Sequence, residues 1–444
     1  MNTPICDFVR KYAERDALRL HMPGHKGTGF LGVEGLDITE IEGADSLYEA
    51  RGIIGQSEAN ASKVFGCDTF YSTEGSSQCI RAMLYLAMLH GKKQGRRPVV
   101  AAGRNAHKTF LSAAALLDLD VLWLYPEKED SYLACNFGPE YLDRQLQEAE
   151  EKPFAVYVTS PDYLGNVADI PALAEVCHRH GALLVVDNAH GAYLKFLPLS
   201  QFPIDLGADL CCDSAHKTLP VLTGGAYLHI SPKYPHLTEQ AKNALILFGS
   251  TSPSYLIMQS LDAANVAMED FAADLKIFAE QTDEMRERLR VHGYRLWEKE
   301  ALKMTIEAKA YGYGGREFSK LLLEKNVVAE FADEDFVVLM LTPEIGKAGL
   351  DMLEKGLMEI PQKPAVVSTM PRICRAEKVM SIREAAMSPA QVLPVEECKG
   401  RILAAATVGC PPAVPILVCG ERVDDHAVEC FRYYGIETCS VVAE

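Results

Sequence analysis

The chain has 444 residues, 48% hydrophobic and 24% charged, with a formal net charge of −17. That length exceeds one typical core and predicts two or three domains, and the composition excludes wholesale disorder. The acidic balance argues against nucleic acid as a partner, because phosphate backbones attract the opposite sign, and it suits a cationic ligand. The N-terminus is polar from its first residues, without the apolar core of a signal peptide, and no apolar run reaches membrane-span length. A cytoplasmic protein is expected.

Residues 1–55 are rich in Gly and short polar turns, as in His21-Met-Pro-Gly-His-Lys-Gly27 and Gly43-Ala-Asp-Ser46, and predict an N-terminal arm without its own core. From about Glu58 helix and strand signals alternate. Helical spacing appears over Ser77–Leu89 (Ile80, Leu84, Met88) and Pro171–His180. Short β-rich runs stand at Pro98–Ala102, Val121–Tyr125, Phe154–Ser160, Ala182–Asp187 and Asp209–Asp213. Such alternation predicts an α/β domain over residues 56–253, with a mostly parallel sheet covered on both faces and ligands at the carboxyl ends of its strands. Tyr255–Arg290 predicts one or two long linking helices. A strand at Phe336–Leu341, a helix at Gly346–Glu359 and a linker at Pro361–Pro364 complete a smaller C-terminal α+β domain, which together with the linking helices spans 254–444.

The 13 Cys show no metal-ligand or disulfide spacing, a usage that fits a reducing cytoplasm. Cys211-Cys212 fall within a run that reads as a buried strand. His21 and His25 have the spacing of a helical metal pair, but Pro23-Gly24 breaks any helix between them, and no metal is expected.

Four segments follow apolar, strand-like runs. Gly75-Ser-Ser77 opens a helix, where capping hydroxyls, free amides and the positive dipole end favour an anion, and Gly75 allows close backbone approach. Arg104-Asn-Ala-His107 offers a ring to stack on. Asp187-Asn-Ala-His190 puts a carboxylate at a strand end, with His190 lining the same place. Ser214-Ala-His-Lys217 supplies an amine after the apolar run Leu210-Cys-Cys-Asp213, with Ser214 and His216 as further phosphate contacts. Taken singly these are a helix cap, a strand-end Asp, a core His and a surface Lys. Taken in order, they are the four parts that pyridoxal phosphate (PLP) needs: a phosphate anchor, a face contact, an acid for the pyridinium nitrogen and an amine for the aldehyde.

With these motifs, and with Thr159-Ser-Pro161 followed by Gly165, Ser250-Thr-Ser-Pro253 and Cys410-Pro-Pro-Ala-Val-Pro415, the chain resembles the bacterial ornithine/lysine/arginine decarboxylases along essentially its whole length. The resemblance implies an aspartate-aminotransferase-like fold and decarboxylation of a basic amino acid in polyamine metabolism. It also implies roles: Lys217 carries the cofactor, Asp187 faces the ring nitrogen, His107 stacks on the ring, and Ser76, Ser77, Ser214 and His216 hold the phosphate. Thr251 matches a position that reaches a phosphate in a neighbouring subunit, which implies a homodimer or larger homo-oligomer with shared sites. Glu330 and Asp333 would lie near the cationic end of the substrate. The chain departs from the family in two ways, matching the compact form without an N-terminal wing domain and having Ala413 where Gly is usual. The same fold also hosts aminotransferases and carbon–sulfur lyases, and a non-catalytic homologue would lack the Lys.

Overall fold

Seven strands build the main sheet of the computed structural model, which describes residues 1–15, 17–128, 131–297, 300–405 and 413–443. They are β1 (Asp68–Ser72), β2 (Val99–Gly103), β3 (Asp120–Leu124), β4 (Ala155–Thr159), β5 (Leu183–Asp187), β6 (Leu210–Asp213) and β7 (Ala226–Ile230). Their order is β1-β7-β6-β5-β4-β2-β3. β2 is parallel to β3 and β4, and β5 to β6, whereas β7 is antiparallel to β1 and β6. β2, β5, β6 and β7 are buried along their whole length, which is why three of these four read as continuous apolar runs. The sheet is the mostly parallel α/β sheet that the alternating pattern predicts. The chain divides into two compact units, residues 1–90 with 185–275 and residues 91–184 with 276–444.

In the second unit, helices Lys108–Leu117, Pro139–Glu148 and Ile170–Arg179 alternate with the parallel strands. A four-stranded antiparallel sheet follows, β8 (Leu296–Trp297), β9 (Lys303–Glu307), β10 (Phe331–Ala332) and β11 (Phe336–Met340), in the order β10-β11-β9-β8. β12 (Ala390–Pro394) pairs with β13 (Thr438–Val442) beside helix Asp425–Tyr433. Arg104, just past β2, is buried and fixes the C-terminal segment. It donates to the carbonyls of Pro415 and Ile416 at 3.1 and 3.0 Å and to the Glu421 carboxylate at 3.3 Å. Residues 410–412 of the Cys410–Pro415 motif lie outside the described residues. Ala413 has φ +58, in the left-handed region, so the Gly usual here has a backbone reason, and Ala bears a strain of about 1–2 kcal/mol.

In the first unit the predicted arm has two parts. Helix Pro4–Ala13 buries Ile5 and Val9. Asp262, on the long helix Tyr255–His292, accepts the Ile5 and Cys6 amides at 2.9 and 3.0 Å and the Ser57 hydroxyl at 2.6 Å. That carboxylate meets two N–H groups at the positive end of the helix, where negative charge is favoured. Further along the arm, Leu18, Leu20, Met22, Phe30 and Leu31 are exposed.

A buried polar chain runs through the core of this unit. Asp213 Oδ2 lies 3.1 Å from His229 Nε2, and Asp213 Oδ1 accepts Asn188 Nδ2 at 2.6 Å. His229 Nδ1 is 3.0 Å from Thr69 Oγ1, directly opposite in the β1–β7 register. Burial opposes a charge on His229, but the Asp213 carboxylate outweighs it and raises the imidazole to about 9 from 6.5. A group raised in the folded state contributes stability that is complete below its unfolded pKa and lost as pH rises through the folded one. Denaturant midpoints are therefore expected to fall as pH rises from about 6.5 through about 9, and His229→Gln should flatten that segment while lowering stability at pH 6. An unchanged slope in the variant would assign the pH dependence to other groups.

Candidate active site

Because β1 and β6 are each antiparallel to β7, and β5 is parallel to β6, the chain leaves β1, β5 and β6 at one edge of the sheet. Three short segments therefore emerge side by side: Ser72–Ser77, Asp187–His190 and Ser214–Lys217. In doubly wound sheets this edge is where ligands bind.

The first segment turns into the 19-residue helix Gly75–Lys93. Gly75 has φ +68 and donates its N–H to the Gly224 carbonyl at 2.8 Å. Gly224 has φ +98, and a Cβ there would lie 2.9 Å from the Thr73 carbonyl oxygen, so only glycine allows these two turns to approach. At the helix start Ser76 Oγ accepts from Ser214 Oγ at 2.9 Å, joining the first and third segments. His216, on the same short turn as Ser214, lies beside Gly75, its Cε1 3.9 Å from where a Cβ would stand. Burial lowers the His216 pKa, and its Nδ1 is 3.0 Å from the Gly225 carbonyl, which fixes the neutral tautomer with the proton on Nδ1.

Asp187 ends β5 and is 2% exposed. Its Oδ1 accepts the Ala189 amide at 3.2 Å and faces Cys212 Sγ at 3.8 Å. Lys217 Nζ lies 2.9 Å from Nε2 of the buried His190. The sequence reading left His190 to hold Asp187 in place or to line the pocket, with no role in proton transfer, whereas the geometry sets it beside the amine. Asn188 and Asp213, missed from sequence, clamp the second segment to the third with the 2.6 Å bond already described. The available signal was a charged residue closing each apolar run, Asp187 and Asp213, on neighbouring parallel strands.

Ser77 follows Ser76 on the helix Gly75–Lys93, and Thr251 stands on an exposed turn whose neighbour Ser250 donates its amide to Glu74. The remaining expected residues belong to the second unit. His107 is the N-cap of helix Lys108–Leu117, its Nδ1 accepting the Thr109 amide at 3.1 Å. Glu330 accepts from the Tyr163 hydroxyl at 3.0 Å. Asp333 is buried, and burial raises its pKa to about 6. Its Oδ1 accepts the Asp335 and Phe336 amides at 2.8 and 2.7 Å, closing the turn between β10 and β11. In the arm, His21 Nε2 pairs with the Tyr12 hydroxyl and His25 Nε2 with Asp37, so the two imidazoles take separate partners.

The donor set fits PLP. Paired hydroxyls at the N-terminus of a long helix suit its phosphate, a buried carboxylate suits a protonated ring nitrogen, and an amine beside an imidazole suits its aldehyde.

Residues 3–305 match the family model described as "Orn/Lys/Arg decarboxylase, major domain", and residues 367–438 match "Orn/Lys/Arg decarboxylase, C-terminal domain". An arginine decarboxylase of Bacillus subtilis is 29% identical over 96% of this chain and 92% of its own length. One from Halalkalibacterium halodurans is 28% identical over 95% and 91%. The lysine decarboxylase LdcF of Francisella novicida superposes with a TM-score of 0.81 over 99% of this chain and 81% of its own, at 15% identity, a likeness of fold. The family model covers more than half the chain. The chain belongs to the Orn/Lys/Arg decarboxylase family and is an amino-acid decarboxylase.

Proposed function

We propose that the protein uses PLP held on Lys217 to decarboxylate a basic amino acid in the cytoplasm, releasing a diamine or agmatine into polyamine metabolism. The observation that carries this reading is the 2.9 Å contact between Lys217 Nζ and His190 Nε2, on the loop that begins with the buried Asp187. Arginine is the first substrate to test, because relatives that align over more than nine-tenths of the chain are named for it.

When bound, PLP supplies an aldehyde that condenses with amines and a ring that takes up the electron pair left as CO₂ departs. Ser76, Ser77 and Ser214, with the start of helix Gly75–Lys93, bind the phosphate. His216, on the same short turn as Ser214, would add a further contact to the phosphate. Asp187 keeps a proton on the ring nitrogen, its orientation fixed by the Ala189 amide. His190 Nε2 accepts a proton from the Lys217 ammonium, which frees the amine as a nucleophile. The resemblance gives His107 the role of a residue that would stack on the ring. Glu330 and Asp333 are kept for the cationic end of the substrate, with Glu330 the better candidate because Asp333 already serves a turn.

Asp187→Asn is expected to retain PLP yet lose at least a hundredfold in turnover, since an amide cannot hold the pyridinium proton by charge and the loss is a few kcal/mol of transition-state stabilisation. Mass spectrometry of the product from arginine, lysine or ornithine, compared between wild type and variant, checks both substrate and role. Near-normal turnover in the variant would move that role to another acid, and a keto acid in place of CO₂ and amine would replace decarboxylation by transamination.

The working unit is proposed to be a homodimer that completes its sites across the interface. Thr251 is exposed on a turn tied to the phosphate-side residue Glu74, and the arm exposes Phe30 and Leu31, apolar groups that a second copy would cover. Lys217→Ala and a Ser250/Thr251/Ser252→Ala triple variant, each inactive alone, should recover up to about a quarter of wild-type activity after subunit exchange, because random mixing makes half the dimers hybrid, with one intact site each. No recovery despite proven exchange would exclude shared sites.

A further inference from the structure

Cys374 is far from His426 and Cys430 in sequence, yet the ligand atoms of all three lie within 4.8 Å of one another in the C-terminal part of the second unit. Cys374 and Cys430 are buried in one apolar cluster, with their Sγ atoms 3.5 Å apart. His426 and Cys430 stand four residues apart on helix Asp425–Tyr433, on one face, with Nε2 3.7 Å from Sγ. The Arg372 carbonyl oxygen is 3.0 Å from His426 Nε2 and 3.7 Å from Cys430 Sγ.

The S···S separation of 3.5 Å and the S···N separation of 3.7 Å come near the edges of a tetrahedral metal site. With metal–sulfur and metal–nitrogen bonds of about 2.3 and 2.0 Å, a tetrahedral Zn²⁺ site has an S···S edge of about 3.8 Å and an S···N edge of about 3.5 Å. Two thiols packed in an apolar core give each other little, since S–H is a weak donor. Two thiolates with a divalent ion form a neutral group, so the charges are not buried unpaired. The partly exposed imidazole gives the ion a way in.

We propose that Cys374, Cys430 and His426 bind a borderline-soft divalent ion of the Zn²⁺ class, with the Arg372 carbonyl facing the fourth position. On binding, each thiol loses its proton to solvent, His426 Nε2 exchanges its contact with the Arg372 carbonyl for the metal, and no electron is transferred. The ion would pin helix Asp425–Tyr433 to the segment 372–374, a structural role separate from the PLP chemistry.

Cobalt(II) is the probe. Full-length holoenzyme, reduced and stripped of metal, should bind about one Co²⁺ per chain, seen in difference spectra against metal-free holoenzyme. Thiolate-to-cobalt charge-transfer and tetrahedral ligand-field bands should appear, and Zn²⁺ should displace them. Cys374→Ser and Cys430→Ser should lose the charge-transfer bands, and His426→Ala, at a partly exposed position, should weaken binding at least tenfold with the circular dichroism unchanged. Should the cysteine variants fail to fold, Zn²⁺ should still slow alkylation of Cys374 and Cys430 in the wild type, read by peptide mapping. Bands absent from reduced wild type, bands that survive in the folded cysteine variants, no protection by Zn²⁺, or a Cys374–Cys430 disulfide in protein purified anaerobically would each overturn the assignment.

Discussion

Asp213 is the residue on which the geometry of the candidate active site depends. It ends a fully buried strand, and its carboxylate has no water to turn to. A buried carboxylate persists only if its charge and lone pairs are met. His229 meets the charge on one oxygen and Asn188 donates to the other. Asn188 follows Asp187, and Ser214 follows Asp213, so satisfying one acid sets the distance between the loop that ends in His190 and the turn that holds Lys217. The 2.9 Å contact between that imidazole and that amine is the result.

The same logic separates the acids of the chain by task. Asp187, Asp213 and Asp262 are each buried with named donors, but those donors differ. Asp262 is met by helix-start amides and a hydroxyl and holds the arm helix in place. Asp213 is met by an imidazole and an amide and holds two loops. Asp187 accepts the Ala189 amide and faces the Cys212 thiol at the end of β5, on the loop that leads to His190. The net charge of −17 says little about this site, because its effect comes from a few acids whose desolvation is offset residue by residue.

Much of this was legible in the sequence, and the exceptions have physical causes. β2, β4, β5 and β6 read correctly because strands buried on both faces are apolar runs, and the long helix Tyr255–His292 because its periodicity is unbroken. β1 and β7 were not read as strands. Thr69 and His229 sit opposite each other inside them, and that polar pair breaks the apolar pattern while satisfying itself within the core. The arm looked coreless because helix Pro4–Ala13 is held by Asp262, some 250 residues away in sequence, as the spacing of its bonds records. Asp187, Ser214 and Lys217 stood out in the sequence because each closes or follows an apolar run, and Gly75 and Ser76 because they open a helix. The Cys374–His426–Cys430 group was not, since no short spacing joins its two halves.

The measurement that tests the central claim most directly is the position of the cofactor. Purified protein is loaded with PLP, reduced with borohydride, digested and mapped by mass spectrometry. The cofactor should be found on the peptide carrying Lys217, at about one per chain, and no such adduct should form in Lys217→Ala. Attachment at a different lysine, or a reduced adduct that persists in Lys217→Ala, would contradict the account of how the loops after β5 and β6 are used.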